Sequence, residues 1–216
     1  MDPPTLVCFD WGGVILRICD DFHQACDRCG IEQRPLVDDQ SQRERRHALV
    51  RAYEIGQIGD EAFFEGVSGA MDRVYSPSEI ARAHDAWLIG EFPRIAEIVD
   101  GLHDARIATA LLSNTNRRHW LRREHSALGE CFPVAARVRY SCVSHLVGAG
   151  KPDEVIYRTL EERAQVTPGE VQFFDDREEN VAGARAYGWS AVRIDPTADP
   201  ARQIRQVLSG QYGLGV

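Results

Sequence analysis

Three short apolar runs in this chain each end on a side chain that carries oxygen: LVCF runs into Asp10, TALL into Ser113-Asn114, and VQFF into Asp175-Asp176. Short apolar runs followed by turn or helix signals read as strands buried on both faces, the habit of parallel sheets. In an open parallel sheet the carboxyl ends of the strands border one crevice. Three runs that repeat the order of buried strand and then polar group therefore build one site from distant segments. A lysine, Lys151, precedes Pro152 between the second and third runs. Carboxylates, a hydroxyl, an amide and an ammonium together suit a divalent cation and a phosphate group.

The rest of the chain fits that frame. After Asp10, Gly12-Gly13 turns the backbone sharply, and VILRI follows as a short extended piece. From there to about residue 90 the pattern is helical, with no strand signal between 17 and 105. One helix is capped by Asp20 or Asp21 and ends before Gly30; others span about 37–54 and 60–71. Ser76-Pro77-Ser78-Glu79 has capping-box spacing with proline at the first helical position, and opens a helix to about 89. Beyond it, strands at 107–112, near 137–141, at 171–175 and at 190–194 alternate with helices at about 93–105, 117–127, 153–165, 178–187 and 199–208. This alternation predicts an α/β fold, a doubly wound parallel sheet with a helical insertion after the first strand. The tail SGQYGLGV reads as frayed.

At 216 residues the chain is long enough for one domain with a modest insertion. Its net charge of −8 argues against nucleic acid as a partner, because binding a phosphate backbone calls for a basic face. The local basic runs RERRHALVR and RRHWLRR read as solvated helix faces. No stretch approaches the roughly 18 apolar residues that span a bilayer, and no signal-type segment opens the chain. A cytoplasmic protein without a membrane partner is the expectation. Cys19, His23, Cys26 and Cys29 are spaced along one helical face, too far apart to close a tetrahedron around one ion, and read as a packing stripe. His119 and His125 are expected at the surface, and Trp87 and Trp120 as anchors of amphipathic helices.

The residues alone define the chemistry. Asp10 can serve as a nucleophile, a metal ligand or both. The glycines after it let backbone N–H groups approach a ligand closely. Asp175 and Asp176 suit a hard cation such as Mg2+, and Ser113-Asn114 lies before a helix start, a ready seat for an anion.

FDWGGVIL (9–16), LLSNTN (111–116), GAGKPDEVIY (148–157) and FFDDREENVAGARAYG (173–188) resemble, in that order, the four motifs of the haloacid dehalogenase-like hydrolase superfamily. The likeness is to its glucose-1-phosphate phosphatase-like members and to the phosphatase domain of soluble epoxide hydrolase. It covers essentially the whole chain. It implies a core made of residues 1–17 and 91–216, with 18–90 as a helical C1 cap. Asp10 would be the nucleophile that forms an aspartyl-phosphate. Ser113 would bind the phosphoryl oxygens, Asn114 would shape their seat, and Trp11 and Gly13 would flank it. Trp11 is further expected to cover the site floor or meet the cap. Lys151 would neutralise nucleophile and phosphate, and Asn180 would organise its loop. Mg2+ would be held by Asp10, Asp176 and the Gly12 backbone carbonyl, with Asp175 behind them. The implied substrate is a small phosphate ester, sugar phosphates being the leading class.

One departure stands out. The superfamily's phosphatases usually carry an acid–base aspartate two residues after the nucleophile, and this chain has Gly12. His23 or Asp21 are candidates to supply the proton instead. Two other readings remain open: a binding or regulatory protein on a phosphatase scaffold, and a haloacid dehalogenase. Oligomeric state is not written in the sequence.

Overall fold

The computed structural model describes residues 2–36, 39–123 and 132–216. The chain enters through strand β1 (Leu6–Phe9), whose four residues are all buried. After the Gly12-Gly13 turn, β2 (Leu16–Ile18) leaves the sheet and later pairs antiparallel with β3 (Leu88–Glu91). Between them lie four helices: α1 (Phe22–Cys29), α2 (Gln40–Glu54), α3 (Asp60–Gly69) and α4 (Pro77–Asp85). Their inner faces form a core of their own, with Tyr53, Phe63, Phe64, Tyr75 and Ile80 among its buried residues. Cys19 and Cys26 are buried in that core as well, and Cys19 sits just ahead of α1 rather than on it. The capping box at Ser76 forms as its spacing requires.

From α5 (Ile95–Asp104) onward the chain alternates: β4 (Ala108–Ser113), the short helices α6 (Arg117–Trp120) and α7 (Val134–Arg137), β5 (Tyr140–Val143), α8 (Ser144–Val147), α9 (Glu154–Ala164), β6 (Val171–Asp175), α10 (Glu178–Tyr187), β7 (Ser190–Arg193) and α11 (Pro200–Tyr212). Five strands form one parallel sheet in the order β5-β4-β1-β6-β7. The two-residue period of a strand sends Val7 and Phe9 to the face covered by α5 and α11, and Leu6 and Cys8 to the face covered by α9 and α10. β1 is central, and the chain builds outward from it first through β4 and β5 and then through β6 and β7. That reversal places the crevice at the carboxyl end of β1. This is the doubly wound α/β sheet the alternation predicted.

Four expectations about the fold need correction. The stretch 17–105 does contain a strand, β3; it is four residues long, only its first residue is fully buried, and Gly90 gives it no apolar alternation. The last helix continues to Tyr212, and the tail after it is packed: Val216 accepts a hydrogen bond from Arg205 and lies against Gly101, and Tyr212 donates to Gln172. RRHWLRR is not a solvated face. Arg122 is buried and donates to the Asp85 carbonyl, while Arg118 grips both oxygens of Asp85 and also reaches Asp60. The strand expected near 137–141 starts at Tyr140, because Val134–Arg137 is helical. His125, Cys131 and part of the expected 37–54 and 117–127 helices lie outside the described residues.

Candidate active site

β1, β4 and β6 are adjacent and parallel, so their last residues arrive side by side: Asp10 follows β1, Ser113 ends β4, and Asp175-Asp176 closes β6. At their centre is Lys151. Its ammonium is fully buried, 2.9 Å from Asp10 Oδ1 and 2.5 Å from Asp175 Oδ2, and donates to the Leu112 carbonyl at 2.9 Å. Burial opposes this charge, but the two aspartates outweigh it and keep Lys151 protonated. The Asn114 amide clasps the main chain of Lys151 in both directions, accepting from its N–H at 2.7 Å and donating to its carbonyl at 2.9 Å. That exchange fixes where the lysine enters the crevice.

Each carboxylate has a different environment. Asp175 is completely buried and fully partnered: besides Lys151 it accepts from the Asn180 amide at 3.0 Å and the Arg177 N–H at 2.9 Å. Asp10 is nearly buried, and its Oδ1 takes the Trp11 N–H at 2.6 Å. Burial pushes its carboxyl up to about 8 against the pull of Lys151, with Asp175 and Asp176 adding to the rise. Asp176 is half-buried and pushed up by burial and by Asp175, and no ion pair among the described residues reaches its carboxylate. Ligand oxygens of the three aspartates lie within 4.8 Å of one another. Three carboxylates against one ammonium leave excess negative charge in a poorly solvated crevice. The donor set, all oxygen and anionic, fits a hard divalent cation such as Mg2+. Gly13, with φ +76°, passes so close to Asp176 that a Cβ there would lie 2.5 Å from its carboxyl group. Only glycine permits that approach.

Beside Asp10, whose neighbours Trp11 and Gly12 line it, lies a cavity of about 240 Å3. Trp11, Gly12, Ser113 and Asn114 form its floor. Glu54, Phe63 and His84 from the inserted helices form its roof together with Trp87, which sits in the turn after α4 rather than anchoring a helix. Trp11 is a packing residue in its side chain, buried edge-on against Trp120 and Phe132. His119, expected at the surface, is buried and stacked on His84 with ring centroids 3.8 Å apart, donating to the His84 carbonyl. Burial holds both rings neutral, His119 down at about 4. His23 and Asp21 do not line this cavity: Asp21 caps α1, accepting from Gln24 N–H at 2.8 Å, and His23 is exposed. Arg117 borders a different hollow, beside Gly56 and His145.

Glu54 was not among the residues singled out in the sequence. It closes a helix otherwise exposed and rich in arginine, and its one signal is an acid placed just before the Gly56 turn. Burial pushes its carboxyl up to about 7, against the pull of Arg177, Lys151 and Arg51.

A profile of haloacid dehalogenase-like hydrolases matches residues 4–188. The chain belongs to that family. The hydrolase is 28% identical over 190 residues to a phosphorylated carbohydrates phosphatase of Thermotoga maritima, covering 84% of this chain and 81% of the relative. It is 26% identical over 208 residues to (S)-2-haloacid dehalogenase 4A of Burkholderia cepacia, covering 89% and 83%. Its fold matches a crystal structure of a HAD family enzyme from Bacteroides thetaiotaomicron with a TM-score of 0.75 at 21% identity, over 95% of this chain and 100% of that one. Among the described residues, no helix of the hydrolase is long and apolar enough to cross a membrane.

Proposed function

We propose that this hydrolase cleaves small phosphate monoesters through a phosphorylated Asp10, with Mg2+ as cofactor. The observation that carries the reading is the trio Asp10, Asp175 and Asp176 gathered around buried Lys151. Asp10, Asp176 and the Gly12 carbonyl, with Asp175 behind them, would hold Mg2+, which would supply the charge neutralisation that lets an anionic carboxylate meet an anionic phosphoryl group. The chain's own groups do the rest. Asp10 attacks phosphorus, oriented by the Trp11 N–H and Lys151. Ser113 donates its hydroxyl to a phosphoryl oxygen, Lys151 offsets the charge that builds on the transferring group, and Asn114 holds Lys151 and shapes the seat. Trp11 and Gly13 line the phosphate side. Water then cleaves the acyl phosphate and frees Asp10.

Residues 18–90 act in this reading as a cap that selects the substrate above a core of 1–17 and 91–216. A small phosphorylated metabolite suits a roofed cavity of about 240 Å3, and sugar phosphates are the leading class. Two relatives support it: the Thermotoga protein is named a phosphatase of phosphorylated carbohydrates, and the Bacteroides enzyme was crystallised with magnesium and inorganic phosphate.

The Burkholderia relative is named for haloacids, and a carboxylate can displace halide from carbon. That reaction has no anionic phosphoryl group to neutralise and gives Asp176, a carboxylate with no ion-pair partner among the described residues, no task. A purely binding protein would have no need to keep Asp10, Lys151 and Asp176 in contact range. The test is hydrolysis of p-nitrophenyl phosphate with Mg2+, with EDTA, and by Asp10→Asn. Turnover that needs Mg2+ and Asp10 is the expected result, and its absence in the unsubstituted protein overturns the reading.

A further inference from the structure

The chain lacks an acid–base group at Gly12, yet an alkoxide leaving from phosphorus needs a proton. In an in-line displacement the leaving oxygen departs on the side of phosphorus opposite the nucleophile. Asp10 lies just before Trp11 and Gly12 of the floor, so that side opens into the cavity that the inserted segment roofs. Glu54 is the carboxyl group lining that roof, and its side chain makes no hydrogen bond or ion pair among the described residues. The other titratable groups there are unfit: His84 and His119 are buried and neutral, and His119 spends its Nε2 proton on the His84 carbonyl. Tyr53 donates its hydroxyl to Asp60.

We propose, on the footing of the phosphohydrolase reading, that Glu54 is the general acid–base of this enzyme, taking the place of the aspartate missing at Gly12. In the first half-reaction the Asp10–phosphorus bond forms, the bond from phosphorus to the ester oxygen breaks, and the Glu54 carboxyl proton passes to that oxygen, releasing an alcohol. In the second, the Glu54 carboxylate takes a proton from the attacking water as its oxygen bonds to phosphorus and the Asp10–phosphorus bond breaks. Inorganic phosphate, free Asp10 and a protonated Glu54 result, ready for the next cycle.

The backbone holds Glu54 in place. The Ser144 hydroxyl donates to the Glu54 carbonyl at 2.5 Å and also accepts the Thr115 N–H at 2.9 Å, tying the end of α2 to the loop that follows β4. Two residues on, Gly56 with φ +72° lies directly over the His145 carbonyl. The charged groups around the carboxyl are Arg51 on its own helix and Lys151 and Arg177 on the core, and burial outweighs all three. From α8 the nearest titratable group is His145, which burial pushes toward neutral. A carboxyl raised to about 7 keeps a proton to give near neutral pH and accepts one back.

The test compares phenyl phosphate with p-nitrophenyl phosphate. The two esters share a ring, but phenol is the poorer leaving group, with a pKa near that of tyrosine at about 10. Glu54→Gln is expected to lower kcat on phenyl phosphate about 10²–10³-fold, in the range of positioned acid–base catalysis. The loss on p-nitrophenyl phosphate should be at least about tenfold smaller. The fall of kcat above pH about 7 on phenyl phosphate should vanish in Glu54→Gln and persist in Glu54→Asp. Equal losses on both esters, or a pH profile unchanged by Glu54→Gln, overturn the role of Glu54 and leave the phosphohydrolase reading standing. If the unsubstituted protein turns over neither ester with dependence on Mg2+ and Asp10, the underlying reading fails and this inference with it.

Discussion

Asp10→Asn should make the metal-free protein more stable while removing its activity. In the crevice three carboxylates face one ammonium, and Lys151 already has a second partner in Asp175 at 2.5 Å. Amidating Asp10 removes a carboxyl whose ionisation burial opposes, keeps the shape and leaves Lys151 paired with Asp175. Folding raises the Asp10 carboxyl to about 8 from an unfolded value near about 4. For a carboxyl raised in this way the folded state binds the extra proton, so stability falls as pH rises toward 8 and recovers as pH falls toward the unfolded value. The linkage is at most about 1.4 kcal/mol per pH unit. Strong coupling to Lys151 and its neighbours lowers that ceiling, and a gain of about 1–3 kcal/mol for Asp10→Asn at pH 7.5 in EDTA is expected. For a chain of this size each kcal/mol moves Tm by about 2–4 °C. Calorimetry from pH 5 to 8 should show the gap between the two proteins widening as pH rises, and Mg2+ should narrow it by stabilising the unsubstituted protein. An Asp10→Asn protein less stable than its parent at pH 7.5 in EDTA would refute the account of the crevice as charge-frustrated.

Other substitutions probe the scaffold. Gly13→Ala sets a Cβ 2.5 Å from the Asp176 carboxyl and into a left-handed conformation, and should weaken Mg2+ binding by about 10–100-fold in calorimetric titration. Gly56→Ala drives a Cβ to 2.7 Å from the His145 carbonyl, so α2 must lift from α8; a loss of about 1–3 kcal/mol in urea unfolding is expected. Lys151→Met leaves Asp10 and Asp175 buried without their cation, and should cost about 3–5 kcal/mol at pH 7.5 in urea unfolding.

Legibility followed the physics of each segment. Asp10, Ser113, Lys151, Asp175 and Asp176 could be found because each sits at the end of an apolar run or at a proline break, and a parallel sheet brings such ends together whatever lies between. The two-strand ribbon could not be found in full, because the LIGE strand has neither length nor alternation and is defined only by its partner. His119 and Arg122 looked like surface residues in a basic run. Their burial depends on Asp85 and His84, more than thirty residues upstream, and no local pattern carries that contact. Glu54 was hidden for the same reason: its helix is exposed along most of its length, and only docking against Ser144 turns its last residue inward.

The absence of an aspartate at Gly12 and the presence of Glu54 in the roof make one argument, and a double substitution separates it from coincidence. A Cβ at Gly12 would meet Ile18 Cδ1 at 3.3 Å, the free tip of a flexible side chain that can move by the few tenths of an ångström required. Gly12 carries no positive φ, so a side chain there is not strained by the backbone. An aspartate at 12 then enters the same cavity as Glu54 from the floor. If proton transfer is what Glu54 supplies, Gly12→Asp should restore turnover of phenyl phosphate in the Glu54→Gln background by at least about tenfold. It should add much less to the unsubstituted protein, whose proton donor is already present. Were Glu54 only a prop for the roof, an acid on the floor would mend nothing, and the double variant would be as slow as Glu54→Gln alone.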